Sequence, residues 1–297
     1  MRTSHLAAAA ALAAAFAAPA FAYDGIVAFG DSLSDPGNLA AFGAAPPPPY
    51  WQGHFSNGQT AVEDMAQNMH LGLQDYAYGG AETGTGNLHA PLNGTGVASQ
   101  VGMYAAAHAG QADAHSLYFV WAGPNDFFAL PAPQTVGVAA TNLLGDVQSL
   151  YNLGARDFFV PLMPDLGATP SAGANAAALH GLSMAYDAAV AAEMLAFAQS
   201  HAGVQMTIFD TPGFFTTESA LLAGQGVNVT QSCFTGVSVC ANPDQYLFWD
   251  SVHPTAMGHS LLGQAFTAAA VPEPATIALL LGGLMVVGGA TRRQRRG

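Results

Sequence analysis

The sequence predicts an α/β domain with a mostly parallel sheet and helices on both faces. Three observations lead there. Short β-rich runs alternate with longer helical patterns along the body of the chain. Hydrophobic residues make up 51% of 297 residues, enough for a sizeable core in about one domain. Charged residues make up only 8%, and so apolar a composition excludes a disordered chain.

The elements follow in order. Gly25–Gly30 is an apolar run bounded by glycines and reads as the first strand. A proline run, Pro46–Pro49, marks a loop. Thr60–Met69 has helical patterning, and a glycine-rich loop runs from Gly79 to Gly96. Helix Ala98–Ala109, strand Ser116–Trp121, helix Val136–Tyr151 and strand Asp157–Pro161 come next. Helix Ala174–Ser200, strand Val204–Phe209 and helix Thr255–Ala268 complete the body, and no internal repeat is visible. In such sheets ligands bind at the carboxyl ends of strands, so the chemistry is expected just after each β-rich run.

The two ends read as addresses. Arg2, the apolar run Leu6–Ala18 and Ala20-Phe21-Ala22 form a charged start, an apolar stretch and a small-x-small cleavage site, so residues 1–22 read as a signal peptide. At the other end Val271-Pro272-Glu273-Pro274 precedes the uncharged run Ala275–Ala290, then Arg292, Arg293, Arg295 and Arg296. At ~1.5 Å per residue that run is short for a stable membrane span. Residues 271–297 resemble the PEP-CTERM sorting signal of Gram-negative bacteria. The resemblance implies a short transmembrane helix, transient membrane contact and processing by an exosortase after export. The body, residues 23–270, is then expected outside the cell or on its surface. A plain membrane anchor is the alternative reading of the same tail.

Charge removes whole classes of function. The formal net charge is −13, and there is no lysine. Between Tyr23 and Pro274 all 19 acids meet a single arginine, Arg156. Phosphate backbones repel such a body, so nucleic acid is excluded as a partner. No H-E-x-x-H, no tight His/Asp cluster and no phosphate-binding glycine loop occurs, so neither metal nor nucleotide cofactor is expected. The two cysteines, Cys233 and Cys240, have six residues between them in a polar loop. They are expected to form a small disulfide in an oxidising compartment.

Two sequence blocks carry candidate chemistry. Phe29-Gly30-Asp31-Ser32-Leu33-Ser34-Asp35-Pro36-Gly37-Asn38 puts a serine just after the first strand. Alone, such a serine is more often a helix cap. Phe248-Trp249-Asp250-Ser251-Val252-His253-Pro254-Thr255 then places Asp250 and His253 three apart, close enough for the carboxylate to reach the imidazole Nδ1–H. Gly258-His259-Ser260-Leu261 and Gly181-Leu182-Ser183 imitate a lipase elbow but lack its final glycine and read as helix.

With these blocks the chain resembles the GDSL, or SGNH, hydrolase family. The matching segments are Gly30-Asp31-Ser32-Leu33, Gly79-Gly80-Ala81, Gly123-Pro124-Asn125-Asp126, Leu166-Gly167-Ala168-Thr169-Pro170 and Asp250 to His253, in the family's order. His54-Phe55-Ser56-Asn57-Gly58 is similar to a segment often near the family's cleft. The resemblance spans about residues 25–268. It implies a three-layer α/β/α, flavodoxin-like fold with a five-stranded sheet. It implies Ser32 as nucleophile, His253 as general base and Asp250 as its orienter. It also implies an oxyanion hole from the N–H of Ser32, the N–H of Gly80 and the Asn125 side chain, with Gly79 an alternative to Gly80. Two positions depart from the pattern: Asp75 stands where Asn is frequent, and His54 where Arg is frequent.

The expected activity is therefore ester hydrolysis through an acyl-enzyme, without cofactor. Lipids, small acyl esters and acetylated polysaccharide all remain possible substrates. Acyl transfer and lysophospholipase activity use the same acyl-enzyme. From a different class, a catalytically silent surface or matrix protein on the same fold is the competing expectation.

Overall fold

The computed structural model describes residues 23–271 apart from Pro131 and Pro133. The expected signal peptide and the sorting tail beyond Val271 lie outside the described residues. Five strands form one parallel sheet in the order β2-β1-β3-β4-β5. They are β1 (Gly25–Gly30), β2 (Gly72–Asp75), β3 (Leu117–Trp121), β4 (Asp157–Pro161) and β5 (Gln205–Phe209). The helices are α1 (Ala61–Met69), α2 (Val97–Ala107), the single turn α3 (Pro124–Phe127), α4 (Thr135–Leu153), α5 (Ala176–Ser200), α6 (Thr211–Gly224) and α7 (Ala256–Ala270). A parallel pair outside the main sheet joins β6 (Asn228–Ser232) to β7 (Tyr246–Phe248).

The strand sequences explain the three layers. Side chains alternate across a strand, so a strand covered on both faces must be apolar at every position. In β1, Val27 and Phe29 pack with α2, α4 and α5 residues such as Tyr104, Leu143 and Val190. Ile26 and Ala28 point the other way, onto Met65 of α1 and Phe266 of α7. β3 repeats the division, with Tyr118 and Val120 on one face and Phe119 and Trp121 on the other. This is the α/β/α architecture expected from the alternating pattern.

The strand order also fixes where a site can form. The chain leaves β1 toward β2 on one side and returns to β3 on the other. The loops after β1 and β3 therefore diverge and leave a crevice at the carboxyl ends. Ser32 follows β1, and Asn125 follows β3.

Candidate active site

The turn after β1 is built by Asp31. Its Oδ1 accepts the Leu33 N–H at 3.0 Å, and its carbonyl accepts the N–H groups of Ser34 and Asp35 at 3.0 Å each. This Asx-type turn lifts Ser32 out of the strand and leaves it half-buried. Gly30 precedes it because β3 runs too close for a side chain: a Cβ there would lie 2.5 Å from the Trp121 carbonyl oxygen. The strand end is gripped by buried Gln100, which accepts the Gly30 N–H at 2.9 Å and donates to the Gly30 carbonyl at 2.8 Å.

Ser32, His253 and Asp250 meet although Ser32 and His253 are 221 positions apart. His253 Nε2 lies 2.8 Å from Ser32 Oγ. Its Nδ1 lies 2.8 Å from Asp250 Oδ2 and 3.0 Å from Oδ1. Asp250 Oδ1 also accepts the N–H groups of Val252 at 2.9 Å and His253 at 2.7 Å. Burial alone would raise the Asp250 carboxyl, but the His253 charge and these hydrogen bonds outweigh it and hold it at about 2. The carboxylate is thus ionised at neutral pH and favours Nδ1 as the protonated nitrogen, which leaves the Nε2 lone pair facing Ser32 Oγ.

The Asp250–His253 turn is fastened from a distance. Ser56 Oγ donates to the Pro254 carbonyl at 2.8 Å, and Asn57 Oδ1 accepts the Ala256 N–H at 2.8 Å. The Phe55 ring lies against the imidazole, with centroids 5.3 Å apart. The Phe-Ser-Asn-Gly segment thus braces the turn that carries His253.

The loop carrying Gly79 and Gly80 is held from both sides. Asp35 Oδ2 accepts the Gly79 N–H at 2.8 Å, and buried Asn87 donates to the Gly79 carbonyl at 2.9 Å. Gly80 has φ +78°, and a Cβ there would meet Asn87 Oδ1 at 2.6 Å. Among the described residues no acceptor meets the N–H of Gly80 or of Ser32. Asn125 sits in the first turn of α3, and its side-chain amide donates to the Ala81 carbonyl at 2.9 Å and faces Asp31 Oδ2 at 3.4 Å. Burial pushes the Asp31 carboxyl up to about 7, against the Leu33 N–H and the His253 charge.

The two departures from the family pattern have local explanations. Asp75 Oδ1 accepts the Ala77 N–H at 2.8 Å, so it still shapes the approach to the glycine pair. Its burial raises the carboxyl well above the ordinary range. His54 is buried, with Nε2 2.9 Å from Glu63 Oε2 and Nδ1 3.0 Å from the Trp51 carbonyl. It braces α1 and is not among the residues lining the cleft.

Ser32 and His253 open into a cleft of about 430 Å³. Its walls include Phe128, Leu166, Phe215, Val229, Leu247 and Phe248. Four of these come from α6, β6 and β7, elements that the sequence pattern did not announce. Cys233 and Cys240 are joined as a disulfide just after β6. Among the described residues no group of three or more His, Cys, Asp or Glu side chains is arranged to hold a metal ion. Both elbow-like decoys lie inside helices, α5 and α7. Among the described residues no helix is long and apolar enough to cross a membrane.

The model of the GDSL-like Lipase/Acylhydrolase family matches residues 26–266. A thermolabile hemolysin of Vibrio parahaemolyticus is 29% identical over 268 residues, covering 80% of this chain and 62% of that protein. Lipase 1 of Photorhabdus luminescens is 33% identical over 159 residues, 51% of this chain and 24% of that protein. A GDSL esterase/lipase of Arabidopsis thaliana is 23% identical, covering 79% of this chain and 85% of the plant protein. The chain thus spans less than two thirds of the length of these bacterial relatives. Among solved structures, a lipolytic G-D-S-L protein from Veillonella parvula aligns with a TM-score of 0.46 at 17% identity, covering 80% of this chain and 93% of that one.

Proposed function

The chain belongs to the GDSL-like lipase/acylhydrolase family, and from that premise we propose that it is a serine ester hydrolase working through Ser32, His253 and Asp250. One observation carries the reading: the unbroken run from Ser32 Oγ through both imidazole nitrogens to Asp250, each link 2.8 Å long. Ser32 Oγ attacks the ester carbonyl as Nε2 takes its proton. The tetrahedral oxyanion is met by the N–H groups of Ser32 and Gly80 and by the Asn125 amide hydrogen that is only loosely engaged with Asp31 Oδ2 at 3.4 Å, the other being held by the Ala81 carbonyl. Each such donor is worth ~3 kcal/mol in the transition state. Nε2 then returns the proton to the leaving alcohol, and water repeats the sequence on the acyl-enzyme.

The cleft supports an apolar acyl group. Phe128, Leu166, Phe215, Val229, Leu247 and Phe248 give the cleft a largely apolar wall beside the polar Asp165, Thr216, Ser219 and Thr230. We expect butyrate or longer chains to be favoured over acetate. The signal-like residues 1–22 and the Pro-Glu-Pro tail support export and surface sorting, and the Cys233–Cys240 disulfide is in keeping with an oxidising compartment.

The test compares the purified protein with its Ser32→Ala variant on p-nitrophenyl acetate, butyrate and palmitate. Turnover is expected to fall by about 10⁴-fold or more in the variant. Activity is also expected to be lost at acid pH, since only neutral imidazole accepts the proton. Equal turnover in both proteins overturns the assignment. A folded wild type inert on all three esters moves the weight to the silent surface protein.

A further inference from the structure

Asp250 has one partner that neither the motif nor the proposed mechanism uses. Its Oδ1 is served from within three residues, by Val252 and His253. Its Oδ2 receives the imidazole and also the phenol of Tyr50, which donates at 2.8 Å from 200 positions away. Tyr50 follows the proline run and is half-buried. Its ring is set nearly perpendicular to Phe234 and Trp249, with centroids 5.6 and 6.2 Å away. Phe55, which also flanks His253, lies at 6.4 Å. Phe234 is itself pinned, because its N–H donates to the Trp249 carbonyl and it follows the disulfide-bonded Cys233. An aromatic cage thus aims one hydroxyl at one carboxylate oxygen.

We infer that Tyr50 is a positioning residue for catalysis, fixing the Asp250 carboxylate and sharing its charge between phenol and imidazole. The inference rests on the triad reading above. Its first consequence is geometric: without the phenol, Oδ2 is held by the imidazole alone, and the carboxylate can rotate. Its second is electrostatic. A carboxylate that also accepts a phenol hydrogen stabilises an imidazolium less well than a free one. Removing the donor strengthens the hold on the protonated imidazole, so a higher pH is needed to free Nε2. Burial and Asp250 both raise the phenol's own pKa, so Tyr50 remains a donor throughout the working range.

Other titratable groups face the base. Asp31 lies behind Ser32, and His259 approaches from α7, with Glu63 and His54 beyond it. None of them is a hydrogen-bond partner of Tyr50, whose side chain bonds to Asp250. Replacing tyrosine by phenylalanine leaves them and the aromatic cage in place.

The experiment uses the full chain as wild type, Tyr50→Phe and Tyr50→Ala. For each, kcat and KM for p-nitrophenyl butyrate are measured from pH 5 to 9. Phosphonylation of Ser32 by a fluorophosphonate is followed over the same range as a substrate-independent readout. In Tyr50→Phe, kcat is expected to drop about tenfold with KM little changed. The acid limb of both profiles is expected to move up by roughly half a pH unit. Tyr50→Ala should fall further. If Tyr50→Phe overlays the wild type and only Tyr50→Ala is impaired, the ring is mere packing and the inference is wrong. If the wild type itself neither turns over nor is phosphonylated, the hydrolase reading fails and takes this inference with it.

Discussion

Two adjacent glycines in one loop have different tasks, and their hydrogen bonds separate them. The Gly79 N–H is consumed by Asp35, so it has nothing to offer an oxyanion. The Gly80 N–H is free among the described residues, and its φ of +78° suits glycine. An alanine at position 80 would be strained in that conformation, and its Cβ would be driven against Asn87 Oδ1, 2.6 Å away. Gly80→Ala should therefore turn the donor aside. We expect kcat to fall about 10²-fold with KM within a factor of two, because the lost contact exists only in the transition state. Steady-state kinetics with a circular-dichroism melt checks this, and an unchanged kcat in a folded variant removes Gly80 from the oxyanion hole. Sequence left both glycines open because neither has a side chain to declare its role. Asp250 and His253 were readable as a pair from their spacing of three, and Ser32 from its place just after an apolar strand, although their meeting spans 221 positions. Tyr50 was not, since an aromatic after four prolines carries no periodic signal and its partner lies 200 positions away.

At the scale of elements, the turn that carries His253 is held by reciprocal capping between the starts of α1 and α7. The first N–H of α7, from Ala256, is accepted by Asn57, which precedes α1. The first N–H of α1, from Ala61, is accepted at 3.2 Å by Nδ1 of His259 on α7. Burial and the nearby His253 charge lower His259 to about 3, so its ring stays neutral and remains an acceptor. Asn57→Ala should orphan the Ala256 N–H beside the triad turn. A loss of about 1 kcal/mol in unfolding free energy is expected, with a several-fold drop in kcat. An unchanged midpoint in urea would show that the cap is dispensable. The main strands were readable because parallel strands buried on both faces are continuous apolar runs. β2 was not, because Gly72-Leu73-Gln74-Asp75 is a short, half-exposed edge strand with polar residues at two of four positions. α6 was hidden by Pro212 and Gly213 in its first turn and by apolar residues spread around its circumference. Its one local signal is Asp210, whose side chain caps the Gly213 N–H. β6 and β7 are short, and their pairing with each other fixes them more than their composition does.

For the molecule as a whole, acidity sets opposite demands on stability and activity. Burial pushes the carboxyl of Asp146 on α4 up to about 8, with the Asp126 charge adding to it. Asp146 Oδ2 has no partner. Burial likewise raises Asp187 and Asp31 to about 7 each. In an unfolded chain these groups release their protons near pH 4, so the folded state holds protons that the unfolded state has lost. Their contribution to stability is complete below about pH 4 and disappears as pH rises through 7 to 8. Asp250 has the opposite sign. Its folded value of about 2 gives stability that is present above about pH 4 and lost only as pH falls toward 2. Self-repulsion among 19 acids acts in the same direction as the raised carboxyls. The melting temperature should therefore peak near pH 4 to 5 and decline toward pH 8.5. Asp146→Asn should melt like the wild type at pH 4.5 and several degrees higher at pH 8.5, because the amide never has to ionise in the core. Melts in dilute buffer across this range check both statements. A wild-type profile that climbs toward pH 8.5, or a variant that is less stable there, would refute the sign of the argument. In the proposed mechanism the imidazole must be neutral, which rising pH favours, while the body is more stable at lower pH. A milder alkaline decline in Asp146→Asn should therefore widen the active range upward without altering its acid limb.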